Sequence, residues 1–252
     1  MTSQRYQDLR VEFHSTTAEL GAAAAQQAAA IINAAIDSNG SARVVVATGN
    51  SQFPITDALP SQDVDWSKVT VFHMDEYVGI DANHPASFRR WIRERVEERL
   101  HPAQVHYIDG NADPETEARR YEDLLHEAPL DLVCMGIGEN GHLAFNEPGV
   151  AEFDTERWCQ EIALTPESLR QQVNEGHFPT QADVPATALS LSIPALLSST
   201  HQIVCVPEER KAAAVAAALT GPITTDCPAS ILQRTPTATL HLDPESASQL
   251  PK

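Results

Sequence analysis

Residues 130–148 read Leu-Asp-Leu-Val-Cys-Met-Gly-Ile-Gly-Glu-Asn-Gly-His-Leu-Ala-Phe-Asn-Glu-Pro. Leu130 to Met135 is an apolar run of strand length, stopped by Gly136-Ile137-Gly138. A short run that is apolar on both faces suits a strand covered on both sides, as in a parallel sheet packed by helices. The rest of the chain repeats this alternation. Thr16-Thr17-Ala18-Glu19 fits a capping box, and the Ala-rich helix that follows closes at Ser38-Asn39-Gly40. Ala42–Ala47 and Val69–Met74 read as strands. A helix after Pro85 aligns Phe88, Trp91, Ile92 and Val96. Gln104–Ile108 is a short strand, and Pro114–His126 a helix with Ala118, Tyr121 and Leu125 on one face. Further on, Ala188–Ile193 and Gln202–Val206 read as strands, Pro207–Thr220 as a helix closed by Gly221, and Thr237–Leu242 as a last strand. The expected fold is α/β, in three layers: a mainly parallel twisted sheet with helices on both faces. One domain over 1–252 is expected, with Gly149–Pro185 as the stretch that could form a small added lobe.

With 35 acidic against 17 basic side chains, the chain carries a formal charge of −18. That balance argues against nucleic acid, which is engaged by neutralising phosphates with Lys and Arg, and against anionic membrane surfaces. The only lysines are Lys68, Lys211 and Lys252, so an anionic ligand must be held by a few placed groups. Cys134, Cys159, Cys205 and Cys227 have neither CxxC nor zinc spacing. With no signal-peptide pattern at the N-terminus and no membrane-spanning apolar run, the expectation is a reduced cytoplasm.

Ligands of open α/β sheets bind beyond the carboxyl ends of the strands, which selects three segments here. Thr48-Gly49-Asn50-Ser51 offers hydroxyls and closely spaced N–H groups that suit an anion, or else simply closes a strand–helix connection. Asp75 and Glu76 stand where a hydrophobic strand stops. Such a pair is ordinarily solvated, but a partly desolvated carboxyl there would rise towards the range of a general base. In 138–148, glycines bracket Glu139 and Asn140 and present His142, and Glu147 is near enough in sequence to orient the imidazole. No HExxH accompanies this histidine, and the chain has no Walker loop or dinucleotide fingerprint, so no metal and no cofactor are expected. Lys211 lies at a helix start, where a cation opposes the macrodipole unless a bound phosphate faces it; the alternative is an exposed solubilising lysine.

Together these segments resemble the glucosamine-6-phosphate deaminase (isomerase) family, which shares its fold with 6-phosphogluconolactonases. The resemblance rests on ATGNSQ (47–52), FHMDEYVGI (72–80), HPASF (84–88) and GIGENGHLAFNEPG (136–149), with weaker matches at Arg170–Asn174 and Arg210-Lys211-Ala212. The MDEYVG and AFNEP portions favour the deaminase side over the lactonases. The resemblance implies a Rossmann-like fold of the deaminase/lactonase type and conversion of glucosamine 6-phosphate to fructose 6-phosphate plus ammonia in amino-sugar catabolism. It implies that His142, oriented by Glu147 and assisted by Asn140, opens the pyranose ring. Asp75 then moves the C2 proton towards C1, while Thr48, Gly49, Asn50, Ser51, Arg170 and Lys211 hold the phosphate.

Two departures stand out. Asn140 occupies a position where many members carry Asp; an amide can hydrogen-bond but cannot exchange a proton. After Pro148, the chain lacks the serine and basic residues with which allosteric hexamers bind an effector, so a monomer or small homo-oligomer is implied. The alternatives are lactone hydrolysis on the same scaffold, galactosamine 6-phosphate as substrate, and a sugar-phosphate sensor. The last is disfavoured by the absence of a basic patch and of a helix-turn-helix ahead of Thr16.

Overall fold

The computed structural model describes residues 2–174 and 176–251; Lys252 lies outside them. In chain order, β1 (Thr2–Tyr6) and β2 (Leu9–Phe13) form an antiparallel hairpin, followed by α1 (Thr17–Asn39) and β3 (Ala42–Val46). Then come α2 (Phe53–Ala58), β4 (Val69–His73), β5 (Asp75–Tyr77) and α3 (Phe88–Ile92). The last continues through a π-helical turn into α4 (Glu98–Leu100), and β6 (Gln104–His106), α5 (Pro114–His126) and β7 (Leu132–Met135) follow. The remaining elements are β8 (Cys159–Ala163), α6 (Pro166–Asn174), β9 (Thr187–Leu191), α7 (Ile193–Leu197), β10 (His201–Val206), α8 (Ala212–Thr220) and β11 (Ala238–Leu242).

The main sheet has the order β1-β2-β11-β10-β7-β3-β4-β6 and is parallel except for β1. On β7, Leu132 and Cys134 join one core with α1 residues Leu20, Ala28 and Ile32, while Val133 and Met135 join the opposite core with Tyr121 and Leu125 of α5. Both faces of this strand are buried, which is why its sequence shows no polar alternation. At the start of α1 the Thr16 hydroxyl accepts from the Glu19 amide and the Glu19 carboxylate from the Ser15 amide; at its end Gly40 adopts φ +81°.

Three features depart from the sequence expectation. The β1–β2 hairpin is additional. The segment expected as a strand over 188–193 is β9, which leaves the main sheet: it is the middle strand of a small antiparallel sheet, β5-β9-β8. Its final residue gives way to α7, capped by the Ser192 hydroxyl. The stretch 149–185 contains β8 and α6 and shares a core in which Leu164 and Phe178 pack with Tyr77, Phe88 and Phe145. Finally, α8 begins at Ala212 and not at Pro207; the intervening residues turn sharply, with Glu208 at φ +80° and Lys211 as the N-cap residue.

Because neighbouring strands of the main sheet run parallel, the ends of β3, β4, β7 and β10 share one rim. Ala47–Gln52, Met74–Tyr77, Gly136–Pro148 and Pro207–Lys211 all emerge there.

Candidate active site

The rim segments enclose a cleft of about 660 Å³, counted to its open mouth. It is lined by Gly136-Ile137-Gly138 and by Thr48–Ser51, Asp75, His142 and Lys211.

The Thr48–Ser51 turn is shaped by Gly49, at φ +93°, a conformation that costs a side-chain-bearing residue. The turn packs onto Gly136, where a Cβ would stand 2.7 Å from Ser51 Oγ. Lys211 is buried, with 4% of its surface exposed, and lines the same cleft. Arg210 beside it also lines the cleft and pairs with Glu139, at 3.2 Å, and with Glu208.

Asp75 and Glu76 occupy successive positions of β5, so their side chains leave on opposite faces. Asp75 borders the cleft, 7% exposed, and its buried Oδ1 has no hydrogen-bond partner among the described residues. Burial, helped by the neighbouring Glu76 charge, pushes its carboxyl up to about 8. Glu76 points into protein. Its carboxylate accepts from the Ser87 hydroxyl (2.7 Å), the amides of Tyr77, Phe88 and Arg89, and Arg89 Nε (3.3 Å). Two of those amides open α3, so Glu76 caps that helix from a distance. Burial nevertheless holds its carboxyl above the ordinary value.

The His142 loop is tied by Gly138 N–H to His142 O (2.9 Å) and Gly141 N–H to Gly138 O (3.0 Å). The imidazole lies directly over Gly138: a Cβ there would stand 2.2 Å from the ring. Behind the ring, Glu147 is fully buried and accepts from Asn140 Nδ2 (2.6 Å) and from the Ser168 hydroxyl. His142 Nδ1 is 3.4 Å from Glu147 Oε1, an electrostatic contact without the alignment of a hydrogen bond. Burial pushes the Glu147 carboxyl up, but the His142 contact and the Ser168 and Asn140 bonds together hold it below its ordinary value. Since a carboxylate only accepts, Asn140 must turn its NH₂ to Glu147; its Oδ1 then accepts from the His142 amide at 3.2 Å. An aspartate at 140 would set two carboxyl groups against each other.

Thr48, Gly49, Asn50, Ser51, Asp75, His142 and Lys211 thus line one cleft, with Asn140 and Glu147 behind His142. Arg170 does not join them. It is half-exposed on α6, pairs with Glu167 at 2.6 Å, and faces an adjoining depression shared with Glu139, Asn140 and Asn174. The reason is helical register. Ser168 and Gln172, four residues apart, form the buried face of α6, and Arg170 lies about half a turn from both. Gln172, whose amide oxygen accepts from Tyr77 Oη at 2.6 Å, lines the cleft with Gln171, His177 and Arg210. These residues and Ser168 were not singled out from the sequence. Gln171, Gln172 and Arg210 entered the sequence reading only within the weakly matching stretches 170–174 and 210–212, without a role; Ser168 and His177 lie outside both and carried no signal.

Among the described residues, Glu12, His14 and His241 group donor atoms closely enough for a metal ion. The two histidines are hydrogen-bonded to each other and onward to Gln27. His241 Nε2 donates to Gln27 Oε1 (2.9 Å), leaving Nδ1 to accept from His14 Nε2 (3.0 Å).

A family model for glucosamine-6-phosphate isomerases/6-phosphogluconolactonase matches residues 15–241. The glucosamine-6-phosphate deaminase of Listeria monocytogenes serotype 4a is 36% identical over 235 residues, 93% of this chain and 98% of its own. A deaminase of the same name from an Exiguobacterium species is 37% identical over 205 residues, 81% of this chain and 79% of its own. Among solved structures, a monomeric glucosamine-6-phosphate deaminase superposes with a TM-score of 0.85 at 30% identity, covering 94% of this chain and 98% of that one. A 6-phosphogluconolactonase from Shewanella baltica superposes with a TM-score of 0.77 at 23% identity, covering 92% of this chain and 97% of that one, and so shares the fold. No helix among the described residues is long and apolar enough to cross a membrane. With a family match that takes in all four loops of the cleft, the chain belongs to the glucosamine-6-phosphate isomerase/6-phosphogluconolactonase family.

Proposed function

We propose that this enzyme deaminates glucosamine 6-phosphate: the aminoaldose phosphate and water give fructose 6-phosphate and ammonia. The observation that carries the reading is Asp75, a desolvated carboxyl on the cleft wall held near pH 8, with the Glu147-backed His142 on the same cleft. An isomerising deamination needs both parts: a proton carrier to open the ring, and a base to move a proton between C2 and C1.

The phosphate would enter the end formed by Thr48–Ser51, Lys211 and Arg210, where hydroxyls, turn N–H groups and cations converge. His142 would pass the ring-opening proton while ionised Glu147 stabilises the imidazolium. An ammonium at C2 beside Asp75 would favour the carboxylate and bring its pKa down as the substrate binds, readying the base. Asp75 would take the C2 proton and return it at C1; water then adds at C2 and ammonia leaves. Arg170, paired with Glu167 outside the cleft, has no part in this set. A cytoplasmic enzyme is our reading, in keeping with four free cysteines, three of them buried. A monomer is favoured by the likeness to a monomeric deaminase.

Lactone hydrolysis is the second reading, favoured by the shared fold alone. Ammonia release from glucosamine 6-phosphate and galactosamine 6-phosphate, run beside hydrolysis of a 6-phosphogluconolactone, separates the choices. Release from the gluco epimer is expected; lactone hydrolysis without ammonia release would reverse the conclusion.

A further inference from the structure

His73 is wholly buried where β4 ends, two residues before Asp75, and the proposed reaction makes no use of it. Its surroundings fix its chemistry. The Ile108 amide donates to Nε2 at 2.9 Å, so Nε2 presents its lone pair. Nδ1 must then carry the proton, and it donates to the Asp75 carbonyl oxygen at 2.9 Å. A second proton on Nε2 would face the Ile108 N–H, and burial already drives the imidazole down to about 3. The ring is therefore a fixed, neutral, two-ended clamp. The main chain of the same residue is held as firmly: Tyr121 Oη accepts from the His73 amide (2.9 Å) and donates to its carbonyl (2.8 Å).

The clamp closes on the peptide joining Asp75 to Glu76, where the chain leaves the main sheet for the small one. In a strand, a rotation or slip of one residue exchanges the two faces. At this point the exchange would turn Glu76 to the cleft and bury Asp75 among the donors that now hold Glu76. We infer that His73 is a positioning residue whose Nδ1–H bond to the Asp75 carbonyl determines which of two adjacent carboxyl groups faces the substrate. The inference rests on the deaminase reading for its kinetic test but not for its structural one.

Asn and Gln each reproduce one end of the clamp. The amide of His73→Asn can donate where Nδ1 did, whereas the amide oxygen of His73→Gln can accept from Ile108 where Nε2 did. Each loses one buried bond, so a purely structural histidine would respond alike to both. A misplacement of this kind costs about 100-fold in rate. His73→Gln is expected to lower kcat for ammonia release by about that factor with KM within about threefold, and His73→Asn to recover at least roughly tenfold of the loss. Equal losses in kcat would overturn the proposal. Two NMR measurements need no activity. The ¹⁵N shifts of His73 in the unaltered protein should report the Nδ1–H tautomer without titration between about pH 5 and 9; an Nε2–H tautomer or a titrating ring would overturn it. The ¹³C titration of the Asp75 carboxyl should stay high in His73→Asn and fall towards the ordinary range in His73→Gln; the same titration in both variants would overturn it. If the unaltered protein releases no ammonia, the deaminase reading fails, and the two spectra still decide the role of His73.

Discussion

Asp75 and Glu76 are neighbours with the same functional group, and the fold treats them in opposite ways. Glu76 is enclosed by donors from α3 and its approach, whereas Asp75 Oδ1 is equally dry and has none. The contrast extends to Glu147 behind His142, saturated by Asn140 and Ser168 and held below its ordinary value. Burial alone therefore does not make a base here. Burial raises the carboxyl of Glu76 as well, so the distinguishing condition is burial without a partner, which leaves an oxygen of Asp75 free to meet a substrate proton. Saturation makes a support: Glu76 anchors a helix, and Glu147 holds a ring.

The hardest blow to this comparison is Asp75→Asn, which keeps the shape and removes the base. Ammonia release should fall by ~10²–10⁴ while the folded structure persists. Solvent deuterium appearing at C1 at the unaltered rate would remove Asp75 from the reaction.

The same variant sharpens the comparison through stability. Since Asp75 is held at about 8, the folded chain keeps its proton after the unfolded chain has released it. Stability from this group is fully present below about pH 4 and is lost as pH rises towards 8. Asn cannot ionise. Asp75→Asn should therefore be more stable than the unaltered protein at pH 8, on the order of 5 kcal/mol, and similar at about pH 4, read by urea denaturation. Equal stability at both pH values would mean that Asp75 is wetter than its surroundings indicate.

Glu76→Gln probes the saturated partner. An amide can accept some of the same bonds but loses the charge that Arg89 meets at 3.3 Å. A loss of about 2 kcal/mol is expected at pH 7, with the ammonia-release kinetics less affected than stability. A stability change under about 0.5 kcal/mol would show that the helix cap is held by other groups.

The cations offer a smaller version of the same contrast. Lys211 is buried on the cleft and Arg170 is half-exposed on a carboxylate outside it. Lys211→Ala should raise KM for the phosphorylated sugar about tenfold or more, and Arg170→Ala less than about twofold. The reverse ranking would mean that α6 turns when substrate binds.

The parallel core and the positions of Asp75 and His142 were legible because each follows a short apolar strand, and parallel strands place such positions on one rim; Lys211 was read from its place near a helix start, although that helix begins only at Ala212. The direction of β9 was not legible. Its composition is that of a buried strand, and periodicity carries no information on which sheet a strand joins or which way it runs. Nor was the facing of Arg170: α6 sits in a stretch with little apolar periodicity, and a helix whose register is unknown can point any residue outward. The N-terminal hairpin was missed for another reason. Leu9 and Val11 do alternate with polar residues, but five residues give the pattern little weight, and its partner across the sheet lies at the far end of the chain.

That partnership sets the order of assembly. Arg10 to Phe13 pair with Thr239 to Leu242, so β2 enters the main sheet only through β11, more than 200 residues later. Until β11 has been synthesised and has added to β10, residues 2–13 have no place to dock. The hairpin should therefore be among the last segments to acquire amide-exchange protection during refolding, after the β3–β4–β7 rim that carries the cleft. An earlier strand begins the chain and a later one decides when it may join.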